Sequence, residues 1–346
     1  MADPQKERAM LSIPIKHQRK KISRRRQVAF TTLAFIISAL SLIAPVKAAE
    51  FGIGVYMLGY QSSMAGYLPE PGFYLRNDFY AYQGNARILP FSGRVEVGLR
   101  SRTVMDLVAG TYVTPLKIFG ANYALGLIWS SVTNTFLKGT LTFDTRFPRL
   151  NQFLNKRFGG SEEGSYTGVS DLLITPINLG WHLGRFHIMT FFNLYAPVGS
   201  YNAERRLNTG LGRWALEPNV AVTWLHPKYG QEVSISMGWT FNVQNPATRY
   251  TTGQEFHMEY FVGQHLPLGF TLGLAGYIYN QMTADTGSGA TLGAFHGQTI
   301  ALGPCLAFNG KMAGHPIGLN ARYYNELKVK NRFDGQAAYL TFTLGL

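Results

Sequence analysis

Residues 232–242 read Glu232-Val233-Ser234-Ile235-Ser236-Met237-Gly238-Trp239-Thr240-Phe241-Asn242. Every second residue is large and apolar (Val233, Ile235, Met237, Trp239, Phe241), and those between are small or polar. Successive side chains of a strand point to opposite faces, so this period of two describes a ribbon with one greasy and one polar side. Three more segments repeat it. Ile300, Leu302, Leu306 and Phe308 oppose Thr299, Ala301, Gly303, Cys305 and Ala307; Leu340, Phe342, Leu344 and Leu346 oppose Tyr339, Thr341, Thr343 and Gly345; Phe270, Leu272, Leu274 and Ile278 oppose Thr271, Gly273, Ala275, Tyr277 and Tyr279. Helical spacing fits none of these.

Working outward predicts strands at 72–82, 103–114, 122–131, 169–182, 186–196, 215–225, 231–242, 254–265, 268–279, 298–309, 315–324 and 335–346. The connections alternate in length. Those near 115–121, 183–185, 226–230, 266–267 and 310–314 are short, whereas 83–102, 132–168, 197–214, 243–253, 280–297 and 325–334 are long. Tilted strands of about ten residues cross a bilayer, and short turns at one end with long loops at the other are the pattern of outer-membrane barrels. The expected fold is therefore all-β, a transmembrane antiparallel up-and-down β-barrel of about twelve strands (range about 10–14). The even count leaves the N-terminus periplasmic when the C-terminus is.

A soluble two-sheet sandwich also shows period two. Three features favour the membrane. The apolar faces are long and aromatic, the opposite faces are small or polar, and Trp129, Trp181, Trp214 and Trp224 fall near strand ends where an interfacial girdle would lie. Composition agrees: 38 Gly, 23 Phe, 19 Tyr and 5 Trp stand beside only 15% charged residues in 346. A single cysteine, Cys305, excludes an intrachain disulfide framework and any Cys-rich zinc site.

The net charge of +13 invites a nucleic-acid reading until the charges are located. Ten of the 32 basic residues but two of the 19 acids fall in residues 1–48, so nucleic acid is not an expected partner. Lys16-His17-Gln18-Arg19-Lys20-Lys21 and Arg24-Arg25-Arg26 precede an apolar run from Val28 to Ile43 and then Ala44-Pro45-Val46-Lys47-Ala48. This charged, apolar, small-residue order is that of a secretory signal peptide cleaved near Ala48. Beyond it no window is apolar enough for a membrane-spanning helix. The expected organisation is a signal peptide at 1–48, an N-terminal segment at 49–71 and a barrel at 72–346, located in the Gram-negative outer membrane.

Pro71-Gly72-Phe73-Tyr74, Gly168 to Asp171-Leu172 with Pro176, Leu179-Gly180-Trp181-His182 and Pro197-Val198-Gly199-Ser200-Tyr201 form an ordered series of motifs. It continues through Asn242, Asn245, Thr248, Tyr250, Thr252-Gly253, His257, Glu259-Tyr260, Gly276 to Gln281, Asp285, Gly303-Pro304 and Arg322-Tyr323. In that order they resemble the MetA-pathway phenol-degradation family of outer-membrane barrels over roughly 70–346. The family is similar in turn to long-chain fatty-acid and aromatic-hydrocarbon channels, which implies passage of hydrophobic small molecules. The chain departs from the pattern at Leu346, where assembly signals usually end in an aromatic residue, and at Val198, where the family commonly has Thr.

With the apolar residues facing lipid, alternation sends eight polar residues inward: Arg76, Asp78, Glu217, Asn219, His257, Glu259, Asn320 and Arg322. They would form either a polar constriction orienting a weakly polar solute such as a phenol, or a hydrogen-bonded network filling a narrow interior. The glycine- and aromatic-rich stretch 49–70 would fold into the lumen as a plug or gate, or extend as a periplasmic strand. Phe147 to Phe158, basic and apolar, would gather hydrophobic solute, contact lipopolysaccharide phosphates or form an ordinary solvated loop.

The expected function is passive uptake of hydrophobic, aromatic solutes, with no enzymatic activity and no cofactor or metal. Partners would be the solute, outer-membrane lipid, lipopolysaccharide and the barrel-assembly machinery. A lipid-modifying barrel enzyme of acyl-hydrolase type and a plugged structural barrel are the alternatives; His187, His257 and His296 lack an adjacent serine in a recognisable motif.

Overall fold

The computed structural model describes residues 54–88, 95–144, 147–290 and 295–346. The expected signal peptide and cleavage site, and residues 49–53 of the N-terminal segment, lie outside them.

The strands are β1 (Gly72–Ile88), β2 (Val95–Ile118), β3 (Ala121–Phe143), β4 (Gly160–Gly168), β5 (Leu172–Leu183), β6 (Phe186–Ala196) and β7 (Ala215–Leu225). They continue with β8 (Gln231–Asn242), β9 (Glu255–His265), β10 (Phe270–Gln281), β11 (Gln298–Met312), β12 (His315–Lys330) and β13 (Asp334–Gly345). An α-helix, α1 (Pro148–Phe158), precedes β4. All pairings are antiparallel, and β1 pairs with both β2 and β13, which closes the ring. Around the ring each strand pairs on both sides, as hydrocarbon demands, while β4 pairs with β3 alone.

Twelve strands make the ring, and β4 is the upper part of a broken wall strand. The lower part of β3, Asn122 to Ile128, pairs with β5, whereas Thr133 to Leu141 pairs with β4. The break at 169–171 is bridged where the Ser170 N–H donates to Ser130 Oγ at 2.6 Å.

On β8 the large apolar residues point out and the polar ones in. Val233, Ile235, Met237 and Phe241 are exposed, while Glu232, Ser234, Ser236 and Thr240 are buried. The same inversion holds for Val220 against Glu217, Asn219 and Thr223, and for Leu272 and Leu274 against Thr271 and Ala275. An ordered exterior of apolar side chains around a polar interior is stable only where the surrounding solvent is itself apolar. Trp181 and Trp224 lie at the short-turn end of their strands and Trp214 at the opposite end, as an interfacial girdle requires.

Two expected long loops are mostly sheet. β1 runs on to Ile88, β2 begins at Val95, and β3 reaches Phe143 before α1 and β4, so 83–102 and 132–168 form an arm beyond the bilayer. Between β12 and β13 only 331–333 remain as a connection, where 325–334 was expected. Past the hydrocarbon the outward face becomes polar (Gln83, Asn85, Arg87, Arg100, Arg102), so no apolar alternation marks the strand.

Candidate functional site

The chain before β1 turns back into the ring. Entering at the short-turn end, its Leu68 carbonyl meets His182 Nε2 at 2.8 Å, and the Gly66 N–H donates to Thr223 Oγ1 at 2.9 Å. Farther back along the segment, Ser63 Oγ and the Met64 N–H donate to Glu232 at 2.7 and 2.5 Å. Gly59 and Gln61 donate backbone N–H groups to Glu259 at 2.5 and 2.7 Å, and the Tyr56 hydroxyl adds a third bond at 2.6 Å. Residues 54–70 thus cross the lumen from the turn end toward Glu255 at the loop end of β9. Glycine is required at two of the contacts. Gly59 has φ +87°, and a Cβ on Gly66 would lie 2.5 Å from the His187 carbonyl oxygen.

All eight residues named from the sequence face the interior, in two groups. Arg76 and Asp78 form an ion pair at 2.7 Å, and Thr341 donates to Asp78 at 2.5 Å. Arg322 lies 3.7 Å from the same carboxylate and donates to Asn320 Oδ1 at 3.0 Å. Its guanidinium also donates to the Gly59 and Tyr60 carbonyls at 2.9 and 3.1 Å. In the second group Glu217 accepts from Asn193, Asn219 and Thr240 at 3.1, 3.0 and 2.7 Å. His257 lies 3.5 Å from Glu217 and stacks on Tyr56 with ring centroids 3.5 Å apart. Glu259, two residues along β9, faces the crossing segment. Gly238 leaves the space for this packing, since a Cβ there would collide with Asn219 Oδ1 and His257 Nε2.

These groups lie along the wall from β7 to β13 and on the adjoining strand β1, which carries Arg76 and Asp78. The other side is open. A cavity of about 400 Å³ lies between residues 54–61 and the wall formed by β1, β2, β3, β5 and β6. Met105, Leu107, Ala109, Leu173, Met189 and Phe191 give it an apolar surface, and Tyr56, Tyr60, Tyr80, Tyr82, Tyr195 and Tyr277 bring phenol rings to it. Thr103, Thr133, Thr175 and Asn193 supply scattered hydrogen-bonding groups. Of the eight residues only Arg76 reaches this surface, with its guanidinium 4.1 Å from the Tyr60 ring centroid.

Sequence reasoning missed the apolar wall because an inward apolar face blurs the alternation it relies on. Val104, Met105, Leu107, Val108 and Ala109 read as a nearly continuous apolar run. Such a run is itself the signal that both faces of the strand meet apolar surroundings. Above the cavity, Asp171 fastens the 197–214 loop by accepting the N–H groups of Gly199 at 2.9 Å and Leu211 at 2.7 Å.

A family model described as the putative MetA-pathway of phenol degradation matches residues 77–342, well over half of the chain. Among solved structures, an outer membrane channel from Pseudomonas putida F1 shares the fold at a TM-score of 0.57, with 15% identity over 81% of this chain and 97% of that one. The transport unit of the autotransporter AIDA-I from Escherichia coli gives a TM-score of 0.40 and 9% identity, over 87% of this chain and 98% of that one. No curated protein matches.

Proposed function

This chain belongs to the family described as the putative MetA-pathway of phenol degradation, and on that footing we propose that it is an outer-membrane channel for passive uptake of hydrophobic, aromatic small molecules. The observation that carries the reading is the division of the lumen. One side is filled by residues 54–70 and the charged groups that hold them, and the other is a cavity of about 400 Å³ walled by methionine, leucine, phenylalanine and tyrosine. That volume falls in the range of sites for single small organic ligands, roughly 300–1,000 Å³.

The chemistry suits a ring bearing one polar group. Apolar side chains and tyrosine faces take the ring by area and by offset stacking. Threonine and asparagine groups on β2, β3, β5 and β6 exchange hydrogen bonds with a hydroxyl. Arg76, Asp171, Glu326 and Arg332 border the cavity, but a strongly hydrated ion would find the carboxylates engaged, since Asp171 accepts the Gly199 and Leu211 N–H groups and Glu326 the Tyr82 and Tyr277 hydroxyls. In this reading Asp78, Glu217, Asn219, His257, Glu259, Asn320 and Arg322 shape the path indirectly by fixing the crossing segment, and Arg76 borders it.

Flux into liposomes carrying the purified barrel tests this. A phenol and a sugar of similar mass are compared at low concentration. Entry of the phenol well above protein-free liposomes, with slower entry of the sugar, supports the proposal; equal entry of both, or no phenol flux, contradicts it. Incubation with phospholipid and lipopolysaccharide separates the enzymatic alternative, since a lipid-modifying barrel would release acyl chains.

A further inference from the structure

The outward face of β1 to β3 changes character at one level. Phe79, Val104 and Val132 are the last exposed apolar residues of the lipid-facing band there. The next outward residues on β2 are Arg102 and then Arg100, because Ser101 is buried and Thr103 lines the lumen cavity. Cross-strand register sets Arg100 directly opposite Lys138 and Arg102 opposite Phe136. Like charges facing each other on an antiparallel pair are destabilising unless an anion lies between them.

The nearest acids are already committed. Glu163 lies 3.2 Å from Lys138, Glu96 lies 2.8 Å from Arg87, and Asp106, set opposite Phe79 and Val132 on the outward face, accepts from Asn77 and Ser131. Among the described residues Arg100 and Arg102 have no carboxylate within ion-pair reach, and the contact found for Arg102 is the Phe136 ring at 6.0 Å. Arg100, Lys138 and Arg87 also line an outward groove of about 940 Å³ that extends to the β12–β13 rim. A two-residue step along a strand is roughly 6.6 Å, so these cations stand just above the hydrocarbon, where outer-leaflet phosphates lie.

We propose that Arg100, Arg102 and Lys138 form a binding site for the phosphate groups of lipopolysaccharide, with the lipid's acyl chains laid on Phe79, Val104 and Val132. Continuity of the cationic groove with the apolar band selects an amphiphile, since a free phosphate would use the cations alone. Phosphate takes charge-assisted hydrogen bonds from arginine in a forked geometry that a lysine point charge reproduces only in part. The basic and apolar stretch at 147–158 is placed differently. Phe143, the end of β3, is eleven residues past Val132, roughly 36 Å along the strand, which puts α1 at the tip of the arm and away from the lipid surface. The site is independent of what passes through the lumen.

Native mass spectrometry of the full barrel in detergent tests the proposal, using bis-phosphorylated lipid A and its phosphate-free form as probes. Wild-type protein is expected to bind the phosphorylated lipid at least about tenfold more tightly, a margin of roughly 1.4 kcal/mol. The double variant R100Q/R102Q should lose that margin, R100K/R102K should keep most of it, and K117Q at the opposite end of β2 should be unaffected. Equal binding of both lipids by wild type, or an unchanged margin in R100Q/R102Q, overturns the site. Displacement of lipid A by millimolar inorganic phosphate overturns the assignment to lipid.

Discussion

Replacing Glu259 with alanine is expected to release the segment that crosses the lumen. Its carboxylate accepts three hydrogen bonds from that segment, from Tyr56 Oη and from the backbone N–H groups of Gly59 and Gln61, at 2.5–2.7 Å. Hydrogen bonds to a charged group contribute about 1.5–3 kcal/mol each, but three on one carboxylate are not additive, and water entering the space left by the side chain recovers part of the loss. A net loss of about 3–5 kcal/mol is reasonable, which shifts the ratio of seated to released segment by roughly 10² to 4 × 10³. Arg322, Glu232 and Thr223 still hold other points, so the segment should loosen first around Tyr56 to Gln61 and remain tethered near Gly66. Single-channel conductance in planar bilayers reads the outcome. E259A should show larger and noisier conductance than wild type, and E259Q, which keeps an acceptor oxygen, an intermediate one. Wild-type conductance in E259A, with residues 54–70 still protected from protease, would refute the assignment of Glu259 as an anchor.

Three other perturbations probe separate parts of the account. Ile235→Lys places a charge on the lipid-facing side of β8 and should destabilise the barrel by about 2–4 kcal/mol in denaturant titrations in lipid; no loss would mean that this face does not meet hydrocarbon. Met105→Trp adds bulk to the open wall and should cut phenol flux several-fold while leaving heat-modified gel mobility normal; unchanged flux would move the path elsewhere. Asp171→Ala removes the acceptor for Gly199 and Leu211 and should raise hydrogen exchange across 197–214, at a local cost of about 1–3 kcal/mol, whereas unaltered exchange would show the loop to be held by other contacts.

The strands at 215–225 and 231–242 were legible to the residue because their outward faces are apolar and their inward faces polar or small, so one period marks the whole span. The arm was not. Beyond the hydrocarbon Asn85, Arg87, Arg100 and Lys138 make the outward face polar on strands that continue only because their backbones stay paired, and pairing leaves no trace in hydropathy.

The interior was legible by direction and less so by role. Alternation put His257, Glu259 and Arg322 inside, where the structure has them. Glu259 and Arg322 meet backbone groups of 59–61 and His257 the Tyr56 ring, some two hundred residues or more away, and only the fold brings those together. The glycines of the N-terminal segment were visible, but Gly66 acquires its meaning from the His187 carbonyl it touches. The cavity wall was hidden for a simpler reason: Met105, Leu107, Met189 and Phe191 resemble lipid-facing or core residues in a linear reading.

Site-directed spin labelling along β8 in lipid vesicles is the most direct measurement. With Cys305 replaced, single cysteines from 232 to 241 are labelled in turn and their collision rates with oxygen and with a water-soluble nickel complex compared. The account expects oxygen accessibility to peak at positions 233, 235, 237 and 241 and to fall at 232, 234, 236 and 240, with a period of two. Nickel access at the odd positions as high as in a water-soluble protein, or the absence of any two-residue period, would contradict it.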